Sequence, residues 1–415
     1  MLVFGLSMGK KLIQFVVFLT STFASLYAGE TILHYYFVLP NPIANYYPVS
    51  ASKTGSTIHI DQYEFQIDFK YNSSGFRDEE INFDKKPGEN RILFLGDSAT
   101  EGFGVPVTER YSNLLLDKLG GEYSGINIAQ LATNPDNYFD NLITFGLALK
   151  PDIVVMGVFL GNDFQGGVSY KIPETYAVKH EIDSSKLKST PMRDFLTFRY
   201  VRELINQTKN KKAVLVKRSV KGNFWDIYFG KKMTKDFYVT ATEIDEQRFD
   251  SVVADFNQDL LPHYYDGRVI PTLLLEGVKD KLPEQKGKGY LYSELDYVNT
   301  ILFIEETGRL LKDEGVKLVV VLMPDVNQVH KEEFQEMLKR DFKFNEIPSR
   351  LTQLEEMRAR TVRDLGEAGV NFIDTTEALK SSNNLTYYLY DQHPNKYAHE
   401  IISLELEKAV RALEK

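Results

Sequence analysis

The sequence predicts an α/β protein: a doubly wound, mostly parallel sheet, interrupted by a large helical or irregular insertion and preceded by an N-terminal membrane helix. Three observations point there. Short apolar runs at 91–95, 153–158 and 317–322 lack polar alternation, as strands buried on both faces do. Helical patterns of ten or more residues lie between such runs, the rhythm of βαβ units. That rhythm stops after Asp163 and resumes near residue 292.

Taken in order, Leu12–Ala28 is uncharged, with Lys10 and Lys11 before it and Glu30 after it. This run fits an uncleaved signal anchor, with basic residues on the cytoplasmic side and Tyr35-Tyr36-Phe37 at the far interface. A cleaved signal peptide, cut near Thr22-Phe23-Ala24, and a buried core helix are the other two readings. Residues 1–40 are therefore assigned to the anchor. Residues 41–87 form a linker and a small β extension: Pro40, Pro42 and Pro48 punctuate 40–60, and Tyr63–Phe69 alternates like a half-buried strand. Asn72-Ser73-Ser74-Gly75 is a turn.

The sheet domain covers 88–164 plus 291–415. Its first half reads strand 91–95, helix 108–119, strand 126–129, helix 136–149 and strand 153–158. Its second half reads helix 292–314, strand 317–322, helix 348–368, strand 370–374 and helix 396–414. Residues 165–290 are the insertion, a candidate lid over a site. Its stretch 192–219 carries many Lys and Arg, as a solvated helix face or as a contact for anionic lipid or glycan.

Composition narrows the function. The 415 residues are 43% hydrophobic and 26% charged, which excludes a disordered chain and a polytopic membrane protein. The net charge of −9 argues against a nucleic-acid partner. There is no Cys, so disulfides, thiolate nucleophiles and Cys-ligated metals are excluded.

Three segments carry chemistry. Ser98 follows a buried strand in Gly96-Asp97-Ser98, at the carboxyl edge where open α/β sheets bind ligands. Read alone it is either a nucleophile or a helix-capping Ser. Neither a Gly-Lys-Ser/Thr loop nor G-x-G-x-x-G follows, so nucleotide binding is not indicated. Asn162, in Gly161-Asn162-Asp163, is either an oxyanion donor at that same edge or part of a turn. His393, in Asp391-Gln392-His393-Pro394, is either a general base oriented by Asp391 or the opening of the last helix.

Together these three blocks resemble the SGNH (GDSL-like) hydrolase superfamily, and Asn72–Asp78 is similar to a lead-in of its membrane-anchored bacterial members. The resemblance implies a flavodoxin-like fold with Ser98 as nucleophile, His393 as base and Asp391 as orienter. It also implies an oxyanion hole from the Ser98 N–H, the Asn162 amide and a residue at the place of Ala132. Two features depart from the family pattern: Ala132 stands where a Gly is usual, and Asp-x-His replaces Asp-x-x-His.

The expected activity is that of a serine esterase cleaving acyl, foremost acetyl, esters of an extracytoplasmic glycan or lipid through an acyl-serine intermediate. It needs no cofactor and no metal. An O-acetyltransferase of an exported polysaccharide, with a membrane acyl-donor partner, would use the same site. A non-catalytic envelope glycan-binding protein is the third reading. The expected location is the cell membrane, single-pass, with the catalytic domain periplasmic or on the outer face, or secretion if the signal is cleaved. Activity should fall as pH drops through the His393 pKa, near the ordinary value of about 6.5.

Overall fold

The computed structural model describes residues 55–164, 234–282, 293–344 and 349–413. The apolar run at 12–28, most of the linker, the basic stretch at 192–219 and Trp225 lie outside the described residues. Among the described residues no helix is long and apolar enough to cross a membrane.

The first described elements form an antiparallel hairpin, β1 (Thr57–Asp61) with β2 (Gln66–Lys70). It corrects the expectation twice. β1 occupies the end of the stretch read as linker, and the strand read from Tyr63 begins only at Gln66. The cause is the turn: Gln62 N–H donates to the Phe65 carbonyl (2.8 Å), and Tyr63 N–H leaves the ladder for the Arg268 carbonyl (2.7 Å). Ile60 and Phe69 of the hairpin, with Tyr71 just past it, pack with Phe103 and Leu131 in one buried cluster.

Five parallel strands make the central sheet: β3 (Asn90–Leu95), β4 (Tyr123–Asn127), β5 (Ile153–Phe159), β6 (Lys317–Met323) and β7 (Phe372–Asp374). Their spatial order is β4-β3-β5-β6-β7. This is the doubly wound order whose direction reverses between β3 and β5, and ligands bind outside the strand ends at such a reversal. All seven residues of β5 are buried, which explains its unbroken apolar sequence. The strand read at 126–129 lies earlier, at 123–127. Past Asn127, whose Oδ1 takes the Ala129 N–H (2.9 Å), single bonds from Ile128 N–H to the Phe94 carbonyl and from Gln130 N–H to the Gly96 carbonyl (both 3.0 Å) keep the chain beside β3.

Helices follow the strands. In the first half these are α1 (Ser98–Glu101), α2 (Tyr111–Leu119) and α3 (Pro135–Asn141). Pro at the first turn suits the start of α3, where an N–H would be unpaired anyway. The single helix read over 136–149 is in fact three pieces, since α3 passes into a π turn (Leu142–Gly146) and a 3₁₀ turn (Leu147–Leu149). There Gly146 lies so close to the sheet that a Cβ would meet Leu93 at 2.7 Å.

The described part of the insertion is helical: α4 (Lys235–Ala241), α5 (Glu246–Val253), α6 (Leu261–Tyr265) and α7 (Thr272–Asp280). The second half adds α8 (Glu294–Asp313), α9 (Val326–Val329), α10 (Lys331–Phe342), α11 (Ser349–Glu367), α12 (Thr376–Lys380) and α13 (Lys396–Ala412). Helices α9 and α10 fall in a stretch for which periodicity suggested no element. The insertion packs on α10: Asn257 bonds Asp341 through both backbone and side chain, and Gly277 lets Phe256 and Phe342 approach. Helix α2 packs on α13, while α8 packs on α3 and α11, so the sheet is covered on two faces.

Candidate active site

The chain leaves β3 through Gly96 and turns at once into α1. Asp97 caps that helix, accepting the Ala99 N–H (2.9 Å), and Gly102 ends it in the left-handed conformation (φ 84°). Ser98 is therefore a capping-turn residue, but its hydroxyl is committed elsewhere. His393 Nε2 lies 2.8 Å from Ser98 Oγ, and His393 Nδ1 lies 2.7 Å from Asp391 Oδ1. All three side chains are buried: Ser98 is 1% exposed, Asp391 3% and His393 5%.

The hydrogen positions follow from chemistry. An ionised carboxylate only accepts, so Nδ1 must carry the proton and Nε2 is left with its lone pair toward Ser98. The competing acceptor for the Ser98 hydroxyl, Asp97 Oδ2, is 3.5 Å away and loses to the imidazole on distance. Burial by itself would push the His393 pKa down. The facing Asp391 carboxylate and, farther off, Asp97 outweigh it and hold the imidazole above its ordinary 6.5.

The one-residue spacer between Asp391 and His393 works because Gln392 adopts a left-handed conformation (φ 69°), which lets both side chains face each other. Gln392 N–H donates to the Tyr388 carbonyl (3.0 Å) and Tyr388 N–H to the His393 carbonyl (3.1 Å), closing a tight loop over 387–394. Phe103 packs on the imidazole, with ring centroids 4.7 Å apart.

Asn162 follows β5, across the reversal from Ser98. Its amide donates to Asp97, a buried carboxyl held above its usual range by burial, against which the His393 charge, the Ala99 N–H and Asn162 pull it down. The next residue, Asp163, is fully buried. It accepts the Phe159 N–H (2.8 Å) and the Tyr138 hydroxyl (2.7 Å), and burial holds its pKa well above the carboxylate range.

Ala132 follows β4. Its φ of 54° is the left-handed conformation that a Gly would adopt freely, at a cost of about 1–2 kcal/mol for a residue with a Cβ. The neighbours hold it there: Gln130 N–H bonds the Gly96 carbonyl (3.0 Å), and Leu131 N–H bonds the Glu101 carboxylate (2.6 Å). The Ala132 segment is thereby pinned to the Ser98 turn. Among the described residues, neither the Ala132 N–H nor the Ser98 N–H donates to a partner.

The structure thus joins Ser98, His393 and Asp391 in one hydrogen-bonded chain, with Asn162 tied to the neighbouring Asp97 and Ala132 on a segment bonded to the same turn. Such an arrangement can generate a serine alkoxide equivalent and offer donors to an oxyanion. Among the described residues no cluster of His, Asp and Glu could hold a metal ion.

No protein-family model matches the chain. No curated protein matches it either. Solved structures similar to it include a GDSL-like lipase from Bacteroides thetaiotaomicron, at 10% identity and a TM-score of 0.35, covering 79% of this chain and 91% of that one. An acetyl xylan esterase is similar at 10% identity and TM-score 0.36, covering 77% of this chain and 99% of that one. An aryl esterase from M. smegmatis is similar at 13% identity and TM-score 0.30, covering 78% and 99%.

Two residues central to this geometry were not singled out by sequence reasoning. Asp97 stands beside Ser98, and only the structure sets the Asn162 amide against it. Glu64 sits in the hairpin turn, and its carboxylate reaches the His393 loop: it accepts the N–H groups of Leu389 (2.8 Å), Tyr390 (2.9 Å) and Asp391 (2.8 Å). No local pattern marks it, because its partners are backbone groups more than 300 positions away.

Proposed function

We propose that this chain is a serine esterase of the SGNH type, cleaving acyl esters through an acyl-Ser98 intermediate. The observation that carries the reading is the unbroken chain Asp391–His393–Ser98, with the imidazole lone pair 2.8 Å from the hydroxyl. In the first half-reaction His393 Nε2 takes the Ser98 proton as Oγ bonds the ester carbonyl carbon. The carbonyl electron pair moves to oxygen, where the N–H groups of Ser98 and Ala132 and the Asn162 amide stabilise it. Collapse of that intermediate re-forms the carbonyl and expels the alcohol oxygen, which takes the proton from His393. Water repeats the sequence: His393 removes its proton, the hydroxide attacks the acyl carbon, and Ser98 leaves with the proton. The Asp391 carboxylate accepts the Nδ1 hydrogen and stabilises the imidazolium.

The substrate class we assign is an acyl, foremost acetyl, ester on an envelope glycan or lipid. This rests on the uncharged run at 12–28 behind Lys10 and Lys11, which would hold the domain at the outer face of a membrane. A fluorophosphonate probe tests the reading. The wild-type chain should be labelled on Ser98, and Ser98→Ala should abolish labelling and lower p-nitrophenyl acetate turnover by about three orders of magnitude or more. A wild type that takes no label overturns it.

A further inference from the structure

Glu64 lies in the turn between β1 and β2, outside the sheet domain that carries the triad. A half-buried carboxylate has a choice of water or protein donors, and this one is given wholly to backbone. Its two oxygens accept three consecutive N–H groups, those of Leu389, Tyr390 and Asp391, at 2.8–2.9 Å. Successive N–H groups converging on one point form an anion nest, here filled by an internal anion. The turn is then clamped from both sides. Tyr63 packs edge-on against Tyr390 (5.3 Å), and Phe65 packs on Tyr388 (4.8 Å) and on Phe103 (5.4 Å), the ring that lies on His393.

The clamp falls where the loop needs one. The Asp-x-His spacing places Gln392 in a left-handed conformation (φ 69°), a strained state for a residue with a Cβ that persists when surroundings over-determine it. The backbone bonds of Tyr388 with Gln392 and His393 close the base of the loop. They leave the N–H groups of 389–391 to Glu64, and the last of these belongs to the triad's own aspartate.

We infer that Glu64 is a positioning residue for the triad: its carboxylate holds the Leu389–Asp391 turn so that Asp391 and His393 face each other and Ser98. The inference rests on the esterase reading for its catalytic consequence and on geometry alone for its structural one. The groups facing Glu64 are Asp391 and Tyr388 from the loop and Tyr264 from α6. Burial first, then the Asp391 charge, push the Glu64 pKa up to about 7 against the pull of the three N–H groups. Protonation replaces an acceptor with a donor and opens the clamp. The acid limb of the rate profile should therefore involve two groups, Glu64 and His393, and fall more steeply than one proton allows.

The test uses the full chain and Glu64→Gln, which keeps the shape and removes the charge. Fluorophosphonate labelling of Ser98 should slow at least tenfold, with KM for p-nitrophenyl acetate within twofold and the acid limb reduced to a single-proton slope. In ¹⁵N-histidine spectra, the downfield Hδ1 signal assigned by its loss in His393→Ala should move upfield or vanish. Labelling within twofold of wild type, with an unchanged Hδ1 signal and slope, overturns the inference. Should Glu64→Gln not fold, Glu64→Asp, too short to span the same three donors, carries the same comparison. A wild type that takes no probe sinks the esterase reading, while the histidine signal still decides the role of Glu64.

Discussion

In the proposed esterase reaction the imidazole of His393 is the group on which the chemistry turns, and its surroundings would set the pH at which it works. Only the neutral ring can take the Ser98 proton. Because Asp391 and Asp97 hold its pKa above the ordinary 6.5, the acid limb of kcat/KM should have its midpoint above that value. A ¹⁵N-histidine titration, which follows the His393 ring apart from Glu64, checks this, and a ring midpoint at or below 6.5 would contradict the ion pair. The sequence-based expectation of about 6.5 thus shifts upward, because the sequence names Asp391 as the partner but not how closely it approaches the ring (2.7 Å), nor that Asp97 lies near it. His399, six residues on, moves the opposite way: burial, with Arg110 and Arg77 adding to it, brings it down to about 3. Its Nδ1 accepts the Tyr111 N–H (3.2 Å), so it closes the start of α2 and stays uncharged.

At the scale of elements, the Ser98 turn depends on how closely β3, β5 and α1 approach. Thr100 on α1 sits between two glycines. A Cβ on Gly96 or on Gly157 would fall 2.1 Å from Thr100 Oγ1, and one on Gly157 would also meet Met323 and the Tyr111 hydroxyl at 2.9 Å. Thr100 is itself held by the Tyr111 hydroxyl (3.0 Å), so it cannot swing away without breaking that bond. Gly157→Ala should therefore lower unfolding free energy by about 1–3 kcal/mol, read as a reduced urea midpoint at constant slope. An unchanged midpoint would mean that α1 shifts freely on the sheet. Gly157 looked like one more apolar position in a buried run, and only the crossing of helix on strand gives it a steric reason.

Across the whole molecule, the N-terminal extension is bound to the sheet domain by a second buried tie besides Glu64. Arg77 is 1% exposed and lies over the Phe69 ring (3.8 Å). Its guanidinium donates to the carbonyls of Glu101 (3.0 Å), Gly102 (2.6 Å) and Val105 (2.7 Å), the exit from α1. Burial, then the like charge of Arg110, bring its pKa down to about 10, which leaves it charged at neutral pH. Arg77→Met keeps the stem and strands three carbonyls, so stability should drop by about 2–4 kcal/mol in chemical denaturation. A loss under about 0.5 kcal/mol would show that water replaces the guanidinium there.

What could be read from the chain alone was whatever is encoded over a few neighbouring residues. The runs at 91–95, 153–158 and 317–322 announce buried strands because polar residues do not alternate through them, and Ser98, Asn162, Asp391 and His393 stand in short blocks whose composition is itself informative. The distances were decided by tertiary structure. Ser98 and His393 are 295 positions apart, and only the order β4-β3-β5-β6-β7 brings the Ser98 and Asn162 loops to adjacent strand ends. The same holds for the one-residue spacer at Gln392, the left-handed Ala132 and the reach of Glu64. Each depends on backbone torsions or backbone N–H groups, and these are the same atoms in almost every residue, so no side-chain pattern records them.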